Sequence, residues 1–122
     1  MMIDVNEFKL INDTFGHTYG DDTLRNIADV LLQVVNNRGV VGRMGGDEFI
    51  VVIDDFKDRQ EIINMAKRIN DSIHLTYVVN QEKHTLSCSI GIACSDDINN
   101  SFKRLYRQAD ENLYNMKKRV KI

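Results

Sequence analysis

The chain has 122 residues, 43% of them apolar and 28% charged, a composition that belongs to one compact core rather than to a disordered segment. A net charge of -2 and an isoelectric point near 5.9 exclude a protein that grips nucleic acid by bulk electrostatics, so a phosphate ligand would need a metal or a few placed cations. No apolar run approaches the roughly 20 residues that cross a bilayer, and no basic-then-apolar leader opens the sequence, which places the expected chain, read as a single domain over 1–122, in the cytoplasm with no membrane segment.

Taken in chain order, "MMIDV" reads as the end of a strand running straight into Asp4. Phe8, Ile11 and Phe15 fit one face of a short helix closed by Gly16. From Asp21 or Asp22, the residues Leu24, Ile27, Ala28, Leu31 and Val35 recur at three and four, the stripe of an amphipathic helix, until Asn36, Asn37 and Gly39 stop it. "VVGRM" and "FIVVI" then flank Gly45 and Gly46. A Gly-Gly turn with positive φ predicts a tight hairpin with two acids, Asp47 and Glu48, at its tip.

Ile62, Ala66, Ile69 and Ile73 mark a further long helix, and "LTYVV" turns through "NQEK" into what reads as one longer strand. In that strand Leu86, Cys88, Ile90, Ile92 and Cys94 face one way, wanting a helix, while the opposite face is small. Cys88 and Cys94 would lie roughly 20 Å apart at ~3.3 Å per residue, far beyond the separation a disulfide spans, so they read as free thiols. Phe102, Leu105, Tyr106, Ala109, Leu113 and Met116 give the stripe of a closing helix with a basic end. The order predicts an α+β fold, a mostly antiparallel central sheet packed by helices.

The chemistry concentrates in two stretches. If the strand ending at Asp4 neighbours the hairpin of Asp47 and Glu48, three carboxylates converge, an arrangement that needs a cation. Oxygen ligands without His or Cys favour Mg²⁺ or Mn²⁺ over zinc. Taken alone, Gly-Gly-Asp-Glu is also good solvated turn composition. The second stretch, "DVNEFKLINDTFGHTYGDDTL", opens with Asp4 and adds Lys9, Asn12, His17 and Asp21 among glycine-marked turns.

With these stretches together the chain resembles the GGDEF family, the diguanylate cyclases, whose pattern D-x-D-x-F-K-x-I-N-D-x-x-G-H-x-x-G-D followed by R-x-G-G-D-E-F is matched at nearly every position. "TLSCSIGIA" and "QADENLYNMK" fit the later signatures, so the resemblance covers essentially the whole chain. It implies a nucleotidyl-cyclase palm-like fold in which two GTP molecules become cyclic di-GMP and two pyrophosphates. It implies that Asp4, Asp47 and the backbone carbonyl of Val5 hold the metal. Glu48 would activate the attacking ribose hydroxyl or complete the metal site.

Backbone amides around Glu7 and Phe8, with Lys9 as a catalytic cation, would cradle the triphosphate. Asn12 and Asp21 would read the guanine edge, and Asp21 could at the same time cap the helix that follows. His17 reads as pocket-lining rather than catalytic. Lys117 matches a second phosphate-holding cation, at a helix end where cations are favoured in any case. Each domain would hold one GTP, which makes a homodimer part of the mechanism.

Three departures stand out. The family's upstream D-x-L-T-x-L-x-N-R segment, a helix and the rest of the first strand do not precede Asp4, which predicts exposed apolar surface and either reduced stability or cover by a partner chain. The arginine and aspartate of the product-inhibition motif R-x-x-D are replaced by Asn36 and Gly39, which cannot supply the planar fork of arginine, so no feedback inhibition is expected there. The closing G-R is Val120 and Lys121, and Lys121 would hold phosphate without bidentate geometry. Asn6, where the family usually has Asp, is given little weight. The rival reading is a catalytically silent GGDEF domain that binds GTP or a protein partner as a regulatory module, with an upstream sensory domain possible in either case.

Overall fold

The structure is a computed structural model describing residues 1–73, 75–95 and 101–120, with the side chains of 119 and 120 outside the description. Strands β1 (Met2–Val5), β2 (Gly39–Arg43), β3 (Glu48–Ile53) and β6 (Cys88–Gly91) form a four-stranded sheet in the order β2-β3-β1-β6. Every neighbouring pair is antiparallel. Strands β4 (Thr76–Val79) and β5 (Glu82–Thr85) make a separate hairpin. Helices α1 (Phe8–Phe15), α2 (His17–Val35), α3 (Arg59–Asp71) and α4 (Phe102–Val120) complete the α+β arrangement. No helix of the described residues is long and apolar enough to cross a membrane.

The alternation of β1 explains how the layers form. Ile3 and Val5 point into the main core with Ile11 of α1, Leu24, Ile27 and Leu31 of α2, and Met65 and Ile69 of α3. Met2 points to the other face and packs with Ala109 and Leu113 of α4. All four β1 residues are therefore buried, as expected of a central strand covered on both sides. Asp4 shares the α4 face with Met2. Val40 and Val52, cross-strand partners on β2 and β3, remain 69% and 42% exposed.

Three expectations are corrected. Helix α2 starts at His17 rather than at Asp21 or Asp22. Gly16 takes φ 91°, ends α1 with its N–H on Asn12 O at 2.8 Å, and opens the next helix at once. Gly20 is tolerated inside α2 because a Cβ there would stand 1.8 Å from Asn12 Oδ1. Asp21 is consequently an interior residue of α2, and its capping role falls away.

The single long strand after "NQEK" is two strands. Leu86 N–H still donates to Leu75 O at 2.8 Å, but Ser87 O accepts from Asn6 N–H at 3.0 Å, so the chain changes sheets between Leu86 and Ser87. Asn70 fastens the jump by donating to Cys88 O and accepting from Cys88 N–H. The small face carries a helix too. A Cβ on Gly91 would meet Ala109 O at 2.1 Å and Leu113 N at 2.3 Å, so small residues there let the α4 backbone press in. The hairpin between β4 and β5 is the tight one, with Asn80 and Gln81 both at positive φ.

The Gly45–Gly46 turn is not a positive-φ hairpin. Gly16 is the one glycine with positive φ among the described residues. Residues 44–47 form a wider connection that Arg43 braces, its guanidinium donating to Gly45 O at 3.1 Å and Gly46 O at 2.7 Å. Met44 N–H closes it onto Glu48 O. Neither glycine carries a side chain to screen the backbone of the turn from a ligand.

Candidate active site

Strands β1 and β3 are neighbours, and Asp4 pairs with Glu48 on one side and Ser89 on the other. Residues directly opposite each other point to the same face, so Asp4, Glu48 and Ser89 form one row beneath α4. Asp47 adjoins the row through its own carbonyl, which accepts from Val5 N–H at 3.2 Å. Asp4 is only 4% exposed. Lys117 of α4 donates to Asp4 Oδ2, whereas Asp4 Oδ1 is buried without a hydrogen-bond partner.

Burial pushes the Asp4 carboxyl above its ordinary range, the hydrogen bond from Lys117 pulls it back, and the neighbouring Asp47 raises it again. Two acids held together in this way need a proton or a cation between them. The convergence stops short of a closed cage, because no group of three or more His, Cys, Asp or Glu side chains among the described residues is gathered tightly enough to hold a metal. The orphaned Oδ1 and the hard-oxygen donor set nevertheless fit Mg²⁺, which takes one or two carboxylates and leaves the rest of its shell to water and phosphate.

Beside the row opens a cleft of about 510 Å³ lined by Asp4, Glu48, Asp110, Glu111, Tyr114 and Lys117 among others. A second pocket of about 80 Å³, between Ile50, Phe56, Phe102 and Tyr106, is mostly apolar and has no Asp, Glu, His, Lys or Arg in its lining. Asp110, Glu111 and Tyr114 lie within the stretch "QADENLYNMK" but are not singled out as site residues from the sequence. Their signal is helical spacing, since Asp110, Leu113, Tyr114 and Lys117 fall on one side of α4 at intervals of three and four.

The segment after β1 turns sharply. Glu7 adopts the left-handed conformation, φ 58° and ψ 27°, and precedes the first turn of α1. The N–H groups of that first turn have no partners within the helix and form a natural seat for anionic oxygen. Lys9 lies exposed on the same turn. Asn6 donates to Ser87 Oγ at 2.8 Å and accepts from Ser89 Oγ at 2.7 Å, and so ties the turn to β6.

Asn12 lies on α1 roughly 6 Å beyond Phe8 at 1.5 Å rise per residue. Its Oδ1 is buried, lacks a partner and rests against Gly20, the residue before Asp21. Asp21 and His17 are both exposed on α2. Lys121 lies outside the described residues. At the position of the product-inhibition arginine, Asn36 ends α2, and the nearby Arg38 is occupied by Asp55 O and the Glu61 carboxylate.

Residues 1–121 match the family described as "Diguanylate cyclase, GGDEF domain". The chain belongs to the GGDEF family. It is 39% identical over 121 residues to the diguanylate cyclase DosC of Escherichia coli (strain K12), a match that covers 98% of this chain and 26% of that protein. Among solved structures it resembles the GGDEF domain of PA1120 from Pseudomonas aeruginosa, with a TM-score of 0.85 and 30% identity over 97% of this chain and 74% of that one. The active GGEEF domain of a diguanylate cyclase from Vibrio cholerae superposes with a TM-score of 0.83 at 29% identity, covering 97% of this chain and 74% of that one. This GGDEF chain thus spans about a quarter of the length of the curated cyclase it matches.

Proposed function

We propose that this GGDEF domain is a diguanylate cyclase that condenses two GTP molecules into cyclic di-GMP with release of two pyrophosphates, acting in the cytoplasm as a homodimer. The observation that carries the reading is the buried Asp4 carboxylate, with one oxygen unpartnered and Asp47, Glu48 and Lys117 around it. Asp4, Asp47 and the Val5 carbonyl, with Glu48 completing the site, would hold Mg²⁺ or Mn²⁺, which would supply charge neutralisation at the α-phosphate.

Glu48 takes the proton of the attacking ribose hydroxyl as the new oxygen–phosphorus bond forms and pyrophosphate leaves. The amides around Glu7 and Phe8 and the ammonium of Lys9 hold the triphosphate in line. Lys117, which donates to Asp4 Oδ2 at the cleft, would hold phosphate, with Lys121 as a further cation. Asn12 and Asp21 read guanine, and His17 lines the pocket. Because each domain presents one such half-site, two copies must face each other, and an upstream sensory domain is the natural control on that pairing.

The test is incubation of the chain with GTP and Mg²⁺, analysed by mass spectrometry for cyclic di-GMP. Product from the parent and none from Glu48→Gln supports the cyclase. A parent that binds GTP yet forms no product at high protein concentration favours the silent, regulatory GGDEF domain instead.

A further inference from the structure

The left-handed conformation of Glu7 needs an explanation, because a residue with a Cβ adopts it at a cost in free energy and does so where the surroundings hold it. The surroundings here belong to a distant part of the chain. The Tyr77 hydroxyl donates to Glu7 Oε2 at 2.8 Å, and His84 Nδ1 approaches the same oxygen at 3.4 Å. The Tyr77 and His84 rings stack across β4 and β5, with centroids 5.2 Å apart and planes 11° from parallel. Phe15, at the other end of α1, meets the Tyr77 ring edge-on at 6.1 Å.

Tyr77 is itself buried, so its hydroxyl is a fixed point rather than a mobile surface group. Burial, and then the Glu7 carboxylate, push this phenol up to about 12, which keeps it a donor at any working pH. The hairpin of β4 and β5 lies outside the catalytic sheet, yet through one carboxylate it reaches the turn whose amides face the triphosphate.

We propose that Tyr77 and His84 are positioning residues for substrate, holding the Glu7 turn in its left-handed conformation through the Glu7 carboxylate so that the amides of Phe8 and Lys9 stay aimed at the triphosphate. The inference rests on the nucleotide reading above. It assigns the β4–β5 hairpin a role in substrate affinity, and it makes Glu7 a residue whose side chain acts through its own backbone.

The test measures binding of a non-reacting α,β-methylene analogue of GTP, with Mg²⁺, to the full 122-residue chain by calorimetry, together with the backbone amide resonances of residues 6–9. Tyr77→Phe keeps the ring and removes the hydroxyl, and weakens analogue binding roughly three- to ten-fold, the worth of one hydrogen bond, while shifting the Phe8 and Lys9 amides. Where cyclase activity is measured, KM rises with kcat within about two-fold. Glu7→Gln keeps an acceptor and rescues most of the affinity. Glu7→Gly, which adopts positive φ freely, binds at least three-fold more tightly than Glu7→Ala, an order that a merely structural role of the side chain does not predict.

Parent-like binding and unmoved amides in both Tyr77→Phe and Glu7→Ala overturn the positioning role while leaving the nucleotide reading intact. A parent chain that binds no analogue overturns the nucleotide reading, and this proposal with it. Should Tyr77→Phe fold poorly, the comparison of Glu7→Gly with Glu7→Ala decides alone, and equal affinities there refute the proposal.

Discussion

Replacing Gly91 by alanine should damage the protein far more than the addition of one methyl group suggests. The new Cβ would stand 2.1 Å from Ala109 O and 2.3 Å from Leu113 N, against the 3.4 Å at which ordinary contact begins. Both obstacles are backbone atoms of α4, so no side chain can swing away, and the helix must retreat by about 1 Å or β6 must bend. Gly91 does not have positive φ, which leaves packing as the whole effect. We expect a loss of about 3 kcal/mol, the upper end of overpacking penalties. With a urea dependence of about 2 kcal/mol per molar, the midpoint followed by circular dichroism falls by roughly 1.5 M.

Gly46→Ala is the control, since nothing lies within 4 Å of its added Cβ, and its stability should change by less than about 0.5 kcal/mol. Because α4 carries Lys117 to Asp4, Gly91→Ala should also weaken Mg²⁺-dependent nucleotide binding in whatever molecules remain folded. A Gly91→Ala protein as stable as the parent would refute the close approach of α4 to β6, and with it the placement of the cleft wall.

Other outcomes follow from single features. Asp58 caps α3 by accepting from Glu61 N–H at 3.0 Å, so Asp58→Ala should cost about 1 kcal/mol in the same urea titration. Burial, and to a smaller extent Asp4, push the Cys88 thiol up to about 12. A thiol reagent should therefore spare Cys88 in the folded chain and modify it only after denaturation, as intact-mass measurement will show. The Tyr77 phenol is raised above its ordinary value, chiefly by burial. The stability it contributes is complete below pH 10 and is lost as the pH rises from there through about 12, so Tyr77→Phe should flatten that alkaline limb of the stability curve.

The elements legible in the sequence are those with their own periodicity. The stripes of α2, α3 and α4 required only the spacing of apolar residues, the pairing of β2 with β3 followed from two apolar runs about a glycine turn whose conformation differs from the positive-φ expectation, and the acids at Asp4, Asp47 and Glu48 stood out by residue type and motif order. What stayed hidden depends on backbone meeting backbone. The side-chain alternation runs unbroken through Leu86 and Ser87, so periodicity carries no sign that the strand changes sheets there. The start of α2 at His17 hinges on the conformation of Gly16, which hydrophobic spacing does not register. The small face of β6 looks like a surface until the α4 backbone occupies it. The contact of Tyr77 with Glu7, 70 residues apart in the chain, has no local signature at all.

In β1, alternate side chains serve different masters. Ile3 and Val5 anchor the main core, while Asp4, between them, faces the cleft. Sliding this strand by one residue would drive a carboxylate into the core and turn two aliphatic residues toward the cleft. Misregistered molecules are therefore removed by their own instability, and every copy that survives folding already displays its acid correctly. Correct display of this acid is thus inherited from the register of the strand that carries it.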